Sequence, residues 1–148
     1  MDFWKEDWCC REIIMQGADS VMATDREGII RLWNPASERI FGFSSEEAIG
    51  SSLDIIIPEQ FRKRHWDGFY QVMATGRSSY GAKLLAVPAM RRDGSRISIE
   101  FSITLIHDPA GNLAGIASVV RDATSRWEKE QELRQRLATL EREQSSKT

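Results

Sequence analysis

The sequence has little that reacts. Cysteine occurs twice, at Cys9 and Cys10. Neighbouring cysteines bridge only with strain, so no disulfide framework is expected. A reducing cytoplasm suits this usage. Both thiols read as structural groups, buried or half-exposed on a leader helix. Histidine also occurs only twice, at His65 and His107, too few for much of a metal cluster. The chain has no glycine-rich phosphate loop, no Cys-x-x-Cys pair and no His-Glu-x-x-His. A kinase phosphoacceptor segment is missing as well, so no enzymatic activity is expected. Apolar runs are short. None nears the roughly 20 residues of a membrane span, and Asp2, Lys5, Glu6 and Asp7 break up the start, so neither a membrane nor a signal peptide is expected. The formal charge is only −2, and the densest basic run is Arg62-Lys63-Arg64. Nucleic acid is therefore not an expected partner.

What is present suits a globular unit. At 148 residues, with 41% hydrophobic and 28% charged residues, one domain can bury a core without metal or disulfides. Residues 1–17 read as an amphipathic leader helix, with Trp4, Trp8 and Met15 near helical spacing and Gly17 as the stop. Ser20–Thr24 and Ile29–Trp33 form a hairpin around Asp25-Arg26-Glu27-Gly28. Asn34-Pro35 caps and starts a short helix ending at Gly42. Ser44-Ser45-Glu46-Glu47 starts another. Pro58 opens a longer helix to about Ala74. Three strands follow: Tyr80–Arg91, Arg96–Ile106 and Leu113–Val120. In the second, Ile97, Ile99, Phe101, Ile103 and Leu105 alternate with polar residues, as a half-buried antiparallel strand requires. Residues 124–148 are helical and highly charged. Leu133, Leu137 and Leu140 follow d, a, d spacing there, the signature of a coiled-coil-prone tail. The order of elements predicts an α+β fold with one antiparallel sheet, helices covering one face and a cavity beneath them. The apolar stripe of Trp4 and Trp8, with the tail leucines, predicts a homodimer through leader and tail helices.

Trp33-Asn34-Pro35-Ala36 through Phe41-Gly42-Phe43-Ser44 to Glu47-Ala48-Ile49-Gly50 closely resembles the PAS superfamily. Arg92-Asp93-Gly94-Ser95 is similar to that family's central hairpin. Arg121-Asp122-Ala123-Thr124 resembles its Asp-x-Thr junction between last strand and output helix. The resemblance covers about Ala18 to Thr124, giving a sensor domain over residues 18–123. It implies a five-stranded sheet cupping a ligand, a cofactor or a partner helix. It also implies signal leaving through the flanking helices toward a histidine kinase or another output domain.

Ile57-Pro58-Glu59, Phe61-Arg62 and Arg64-His65 resemble the start of the long helix in rhizobial oxygen-sensor kinases, which bind haem through a histidine at that position. The resemblance thus implies haem b on His65. Helical periodicity independently puts Phe61, His65, Phe69, Val72 and Met73 on one stripe, with His65 toward the sheet and Trp66 and Asp67 toward the flank or solvent. A lone inward histidine is more often a hydrogen-bonded core residue than a ligand, and both readings stand. The arginine of the oxygen sensors falls at or near Leu85 here. With haem bound, Leu85, Phe101 and Ile103 would make an apolar distal side without a hydrogen bond for oxygen. Nothing resembles the flavin-photosensor motif, so flavin is not expected. The candidate pocket is Phe61, His65, Phe69, Leu84, Leu85, Phe101 and Ile103, and the same residues could instead close the core of a ligand-free dimerisation or adaptor domain. Asp122 and Thr124 are the candidate relay at the strand–helix junction, and His107 is expected in solvent.

Overall fold

The computed structural model describes residues 2–78 and 84–147. The leader is not one continuous helix. Phe3–Lys5 is a 3-10 turn capped by the Asp2 carboxylate, Glu6 is extended (φ −84°, ψ 148°), and helix α1 runs Asp7–Gln16. The Asp2 cap closes the first turn too early for the two segments to merge. Strand β1 (Ser20–Asp25) pairs with β2 (Ile30–Trp33), and α2 (Pro35–Phe41) and α3 (Ser45–Ala48) follow. A second 3-10 turn, Leu53–Ile56, leads to α4 (Glu59–Thr75). Strands β3 (Leu85–Met90), β4 (Arg96–His107) and β5 (Leu113–Asp122) precede the tail helix α5 (Thr124–Ser146). The strand expected from Tyr80 begins at Leu85 within the described residues; 80–83 lie outside them.

The five strands form one sheet in the order β2-β1-β5-β4-β3, with every pair antiparallel. Chain order explains the ends. A hairpin, β1–β2, and a three-stranded meander, β3–β4–β5, meet where β5 pairs with β1. Strand β3 is an edge, which is where Pro88 can sit without breaking a central ladder. A bulge between Ala23 and Thr24 keeps Trp33 and Ile30, three residues apart, opposite Met22 and Thr24 on the same face.

That inner face carries the main core. Met22, Ile30, Trp33, Phe41, Ile56, Ile57, Ala89, Ile97, Ile99 and Val120 are buried together. Each fully buried large side chain contributes about 1.5–3 kcal/mol. The short helices hold because each end is satisfied. Asn34 caps α2 and Gly42 ends it at φ +82°, a value few side chains tolerate. Ser44 and Glu47 form a reciprocal capping box on α3. The β3–β4 turn is tied to this corner by Arg92, whose N–H reaches the Phe41 carbonyl at 2.8 Å and whose guanidinium meets Glu47 at 3.0 Å.

Candidate functional site

Helix α4 builds the roof of the site. Phe69, Val72 and Met73 pack on Leu105, Leu113 and Ile116 as a second, smaller cluster. The main core ends at Phe101 and Val120. Between the two clusters the sheet offers Ile103, cross-paired with Ser118, which is paired in turn with Met22. Ile97 and Ile99 are buried, but Phe101, Ile103, Leu105, Ile116 and Ser118 on the same inner face are only half-buried. A filled core would cover all of them. The inner face is sealed at one end and only half-covered at the other.

His65 lies one turn before Phe69 and is half-buried. Its ring lies edge-on to Trp66 with centroids 4.6 Å apart and stacks toward Phe69 at 6.2 Å. Nδ1 is shielded from solvent and has no hydrogen-bond partner among the described residues. Burial holds the imidazole below its ordinary pKa, against a weaker pull upward from the Asp54 carboxylate. The ring is therefore neutral at pH 7, able to donate from one nitrogen and accept at the other.

Other candidates fall differently. Phe69 is buried at this site, and Leu85, Phe101 and Ile103 are half-buried on the inner face. Phe61 is instead 37% exposed, beneath the Arg96 guanidinium at 5.7 Å. Leu84 precedes β3 and is 62% exposed. Phe61 lies at the Arg96 end of the β3–β4 pair, and Leu84 lies at the other end, one residue out of phase with the inward Leu85. Of flank and solvent, Trp66 takes the flank: half-buried, it packs with Phe69 and covers the β1–β2 turn, so that a Cβ on Gly28 would meet its ring at 2.2 Å. The reason is polar. Its indole N–H donates to Asp54 Oδ1 at 2.7 Å, which lets the ring bury. Asp67 is exposed and pairs with Lys63, and His107 is exposed. Cys9 is buried and Cys10 exposed.

Sequence reading saw Asn34 only as a cap, and the structure makes it a hub. Asn34 is 1% exposed. Its Oδ1 accepts from Ser37 N–H (3.0 Å), Ser37 Oγ (2.8 Å) and Val21 N–H (2.9 Å). Its Nδ2 donates to the carbonyls of Ile14 (2.8 Å) and Asp19 (3.0 Å). One side chain thus joins the end of α1, the start of β1 and the start of α2. Beside it, Arg121 donates to both oxygens of Asp19, at 3.2 and 2.9 Å, and that bonding lowers the Asp19 pKa.

The junction of β5 and α5 is braced on both sides. Asp122 Oδ1 accepts the Thr124 N–H at 2.9 Å and its hydroxyl at 2.6 Å. Thr124 Oγ1 accepts the Ser98 N–H at 3.0 Å, and Ala123 N–H reaches the Ser98 carbonyl at 2.8 Å. Arg126 pairs with Glu100. The first turn of the tail is therefore fastened to β4, the strand that also carries Phe101 and Ile103. Farther out, Leu133, Leu137 and Leu140 are 55–58% exposed along one side of α5, and Trp4 and Trp8 are exposed on the leader.

Comparison with known proteins agrees with this architecture. The family described as PAS fold matches residues 10–123. Sensor protein FixL of Bradyrhizobium diazoefficiens is 31% identical over 135 residues, covering 89% of this chain and 26% of FixL. The signal transduction histidine-protein kinase AtoS of Escherichia coli is 32% identical over 133 residues, covering 86% of this chain and 20% of AtoS. The PAS domain of a Colwellia psychrerythraea protein matches with a TM-score of 0.70 at 21% identity, covering 81% of this chain and 99% of that one. The chain thus spans about a quarter or less of the two curated relatives it matches here.

Proposed function

Since this chain belongs to the PAS family, we propose that it is a sensor module that binds a small molecule or cofactor beneath α4 and relays occupancy through its flanking helices. The observation that carries this reading is the half-covered inner face between the two core clusters, with the neutral, half-buried His65 on the helix that packs over its end. The relay has a physical route. A guest that shifts β4 acts on Ser98, and Ser98 holds the first residue of the tail. The tail leucines and the leader tryptophans, exposed in the single chain, support a homodimer with the tail leading to a histidine kinase or other output partner. The module itself carries no catalytic role in this reading, and it works in the cytoplasm. Among the described residues no helix is long and apolar enough to cross a membrane.

A haem-based form of the same function is favoured by one observation. His65 is neutral and half-buried on the roof's inner stripe, so it fits as an axial donor in kind, and Leu85, Phe101 and Ile103 fit an apolar opposite wall. Nδ1 lacks the carbonyl or carboxylate that commonly orients a ligating imidazole, and the packing of Trp66 and Phe69 takes over that orientation. Haem would supply a redox-active, gas-binding iron.

Native mass spectrometry with a visible spectrum of the purified protein tests both forms. A bound mass without a Soret band supports the small-molecule sensor. A Soret band lost in His65→Ala supports haem. If no bound mass is found and haem reconstitution gives no band, and if hydrogen exchange shows the inner face as protected as the main core, the module is a ligand-free dimerisation domain.

A further inference from the structure

One opening lies away from α4, where α2 meets the β3–β4 turn. It is a surface cleft of about 420 Å³, lined by Arg39 and Gly42 on one side and by Arg91, Arg92 and Asp93 on the other. Arg92 holds its walls together, through its N–H on the Phe41 carbonyl and its guanidinium on Glu47. Three guanidinium side chains thus share one cleft, against a single carboxylate on its wall.

These charges are unequally spent. Arg39 is exposed and has no hydrogen bond or ion pair among the described residues. A cation in the last turn of a helix ordinarily serves the free carbonyls there. Here the Glu38 carbonyl already accepts from Gly42 N–H, and the Phe41 carbonyl from Arg92 N–H. Arg91 is held more loosely than Arg92. Its Nε is shielded from solvent without a partner, and its ion pair, to Asp122 Oδ2, is long at 3.6 Å, with 38% of the side chain exposed. The carboxylates, by contrast, have other donors. Asp93 accepts from the Ser95 hydroxyl (2.6 Å) and N–H (2.9 Å), and those bonds hold its pKa below the ordinary carboxylate value. Glu47 accepts from Ser44 N–H, and Asp122 Oδ1 from Thr124. An arriving anion therefore meets guanidinium donors to spare beside carboxylates that are already satisfied.

We propose that this cleft binds a small oxyanion of the phosphate class, held between Arg39 and Arg91, and that the anion draws Arg91 away from Asp122. A guanidinium presents paired N–H donors that match two phosphate oxygens, and a phosphate group carries nearly two negative charges close to neutral pH. The site is independent of any guest beneath α4, yet it reaches the same tail. Asp122 braces Thr124, so a change of partner at its second oxygen is felt at the first residue of α5.

Inorganic phosphate, titrated at pH 7 and constant ionic strength and followed by amide NMR shifts, tests the proposal. Shifts at Arg39, Gly42, Arg92 and Asp93 should saturate at millimolar phosphate, and Thr124 should move with the same midpoint. Sodium chloride at matched ionic strength should leave these signals in place. Arg39→Gln and Arg91→Gln should each weaken binding about tenfold, as the loss of a charge-assisted pair implies. Arg136→Gln, on the exposed tail, should not. Arg39 has no partner to lose, so Arg39→Gln keeps the fold and carries the test should Arg91→Gln unfold. Phenyl phosphate run alongside tells a free ion from an ester by which of the two binds more tightly, and saturation by either supports the site. Shifts that chloride reproduces, that never saturate, or that survive Arg39→Gln would overturn it. Saturation with Thr124 unmoved would overturn the link to the tail.

Discussion

Replacing Asn34 tests whether one buried amide holds the leader helix to the sensor domain. Asn34→Ala removes all five side-chain hydrogen bonds at once. It orphans the N–H groups of Val21 and Ser37 and the carbonyls of Ile14 and Asp19; Ser37 Oγ keeps Ser20 at 2.7 Å. A lost cap costs about 1 kcal/mol, and each buried orphan about 1–3 kcal/mol before water refills the space. The expected loss is about 3–5 kcal/mol, a large share of a domain's roughly 5–15 kcal/mol. With a urea slope of about 2 kcal/mol/M, the midpoint falls by about 2 M. Asn34→Asp separates hub from cap. As caps the two residues are equivalent, but aspartate only accepts, and its charge would face the carbonyls of Ile14 and Asp19. It should therefore cost several kcal/mol, and amides 7–16 should lose exchange protection before the sheet does. Urea unfolding followed by far-UV circular dichroism measures the first, and hydrogen exchange the second. A loss under about 1 kcal/mol in Asn34→Asp, with leader protection intact, would show that Asn34 is a cap and nothing more.

Other expectations follow from the same contacts. Asp122→Ala with Thr124→Ala should leave the domain folded but remove ligand-dependent protection of residues 124–144; equal protection in wild type and variant would clear the junction of any relay role. Leu137→Glu should convert the dimer to monomer at tens of micromolar, read by sedimentation, and a wild-type chain already monomeric there ends the dimer proposal. For His65, burial makes the folded state prefer the neutral ring, so its contribution is full above the unfolded value of about 6.5 and is lost as pH falls below it. Wild type should lose stability relative to His65→Phe as pH falls below about 6.5, by no more than about 1.4 kcal/mol per pH unit. A parallel pH dependence in the two proteins would count against a buried neutral imidazole.

The sheet was readable because its signals are local. Asp93-Gly94 fixes a turn, Arg96 to Ile106 alternates, and Asn34-Pro35 and Ser44 to Glu47 announce helix starts through caps that reach only three residues. The site was less readable because its determinants are not local. A helical stripe gave the inward side of α4 but not where the helix overhangs the sheet, so Phe61 was placed inside when it lies over the edge near Arg96. Trp66 is half-buried with its N–H received by Asp54, twelve residues away. Asn34 gave no site signal beyond its cap, since its importance depends on which carbonyls and N–H groups stand opposite after folding.

The Asp19–Arg121 clamp joins residues 102 positions apart, so the domain's way in and its way out lie side by side. A unit whose ends are already close could be inserted between two helical segments much as a loop can. Spacing along such an array would then depend on the helices, and the globular part would hang from them as a side branch. A small rotation at the clamp would be felt as a change of phase between incoming and outgoing helix, a quantity that any downstream helical partner can read without touching the ligand.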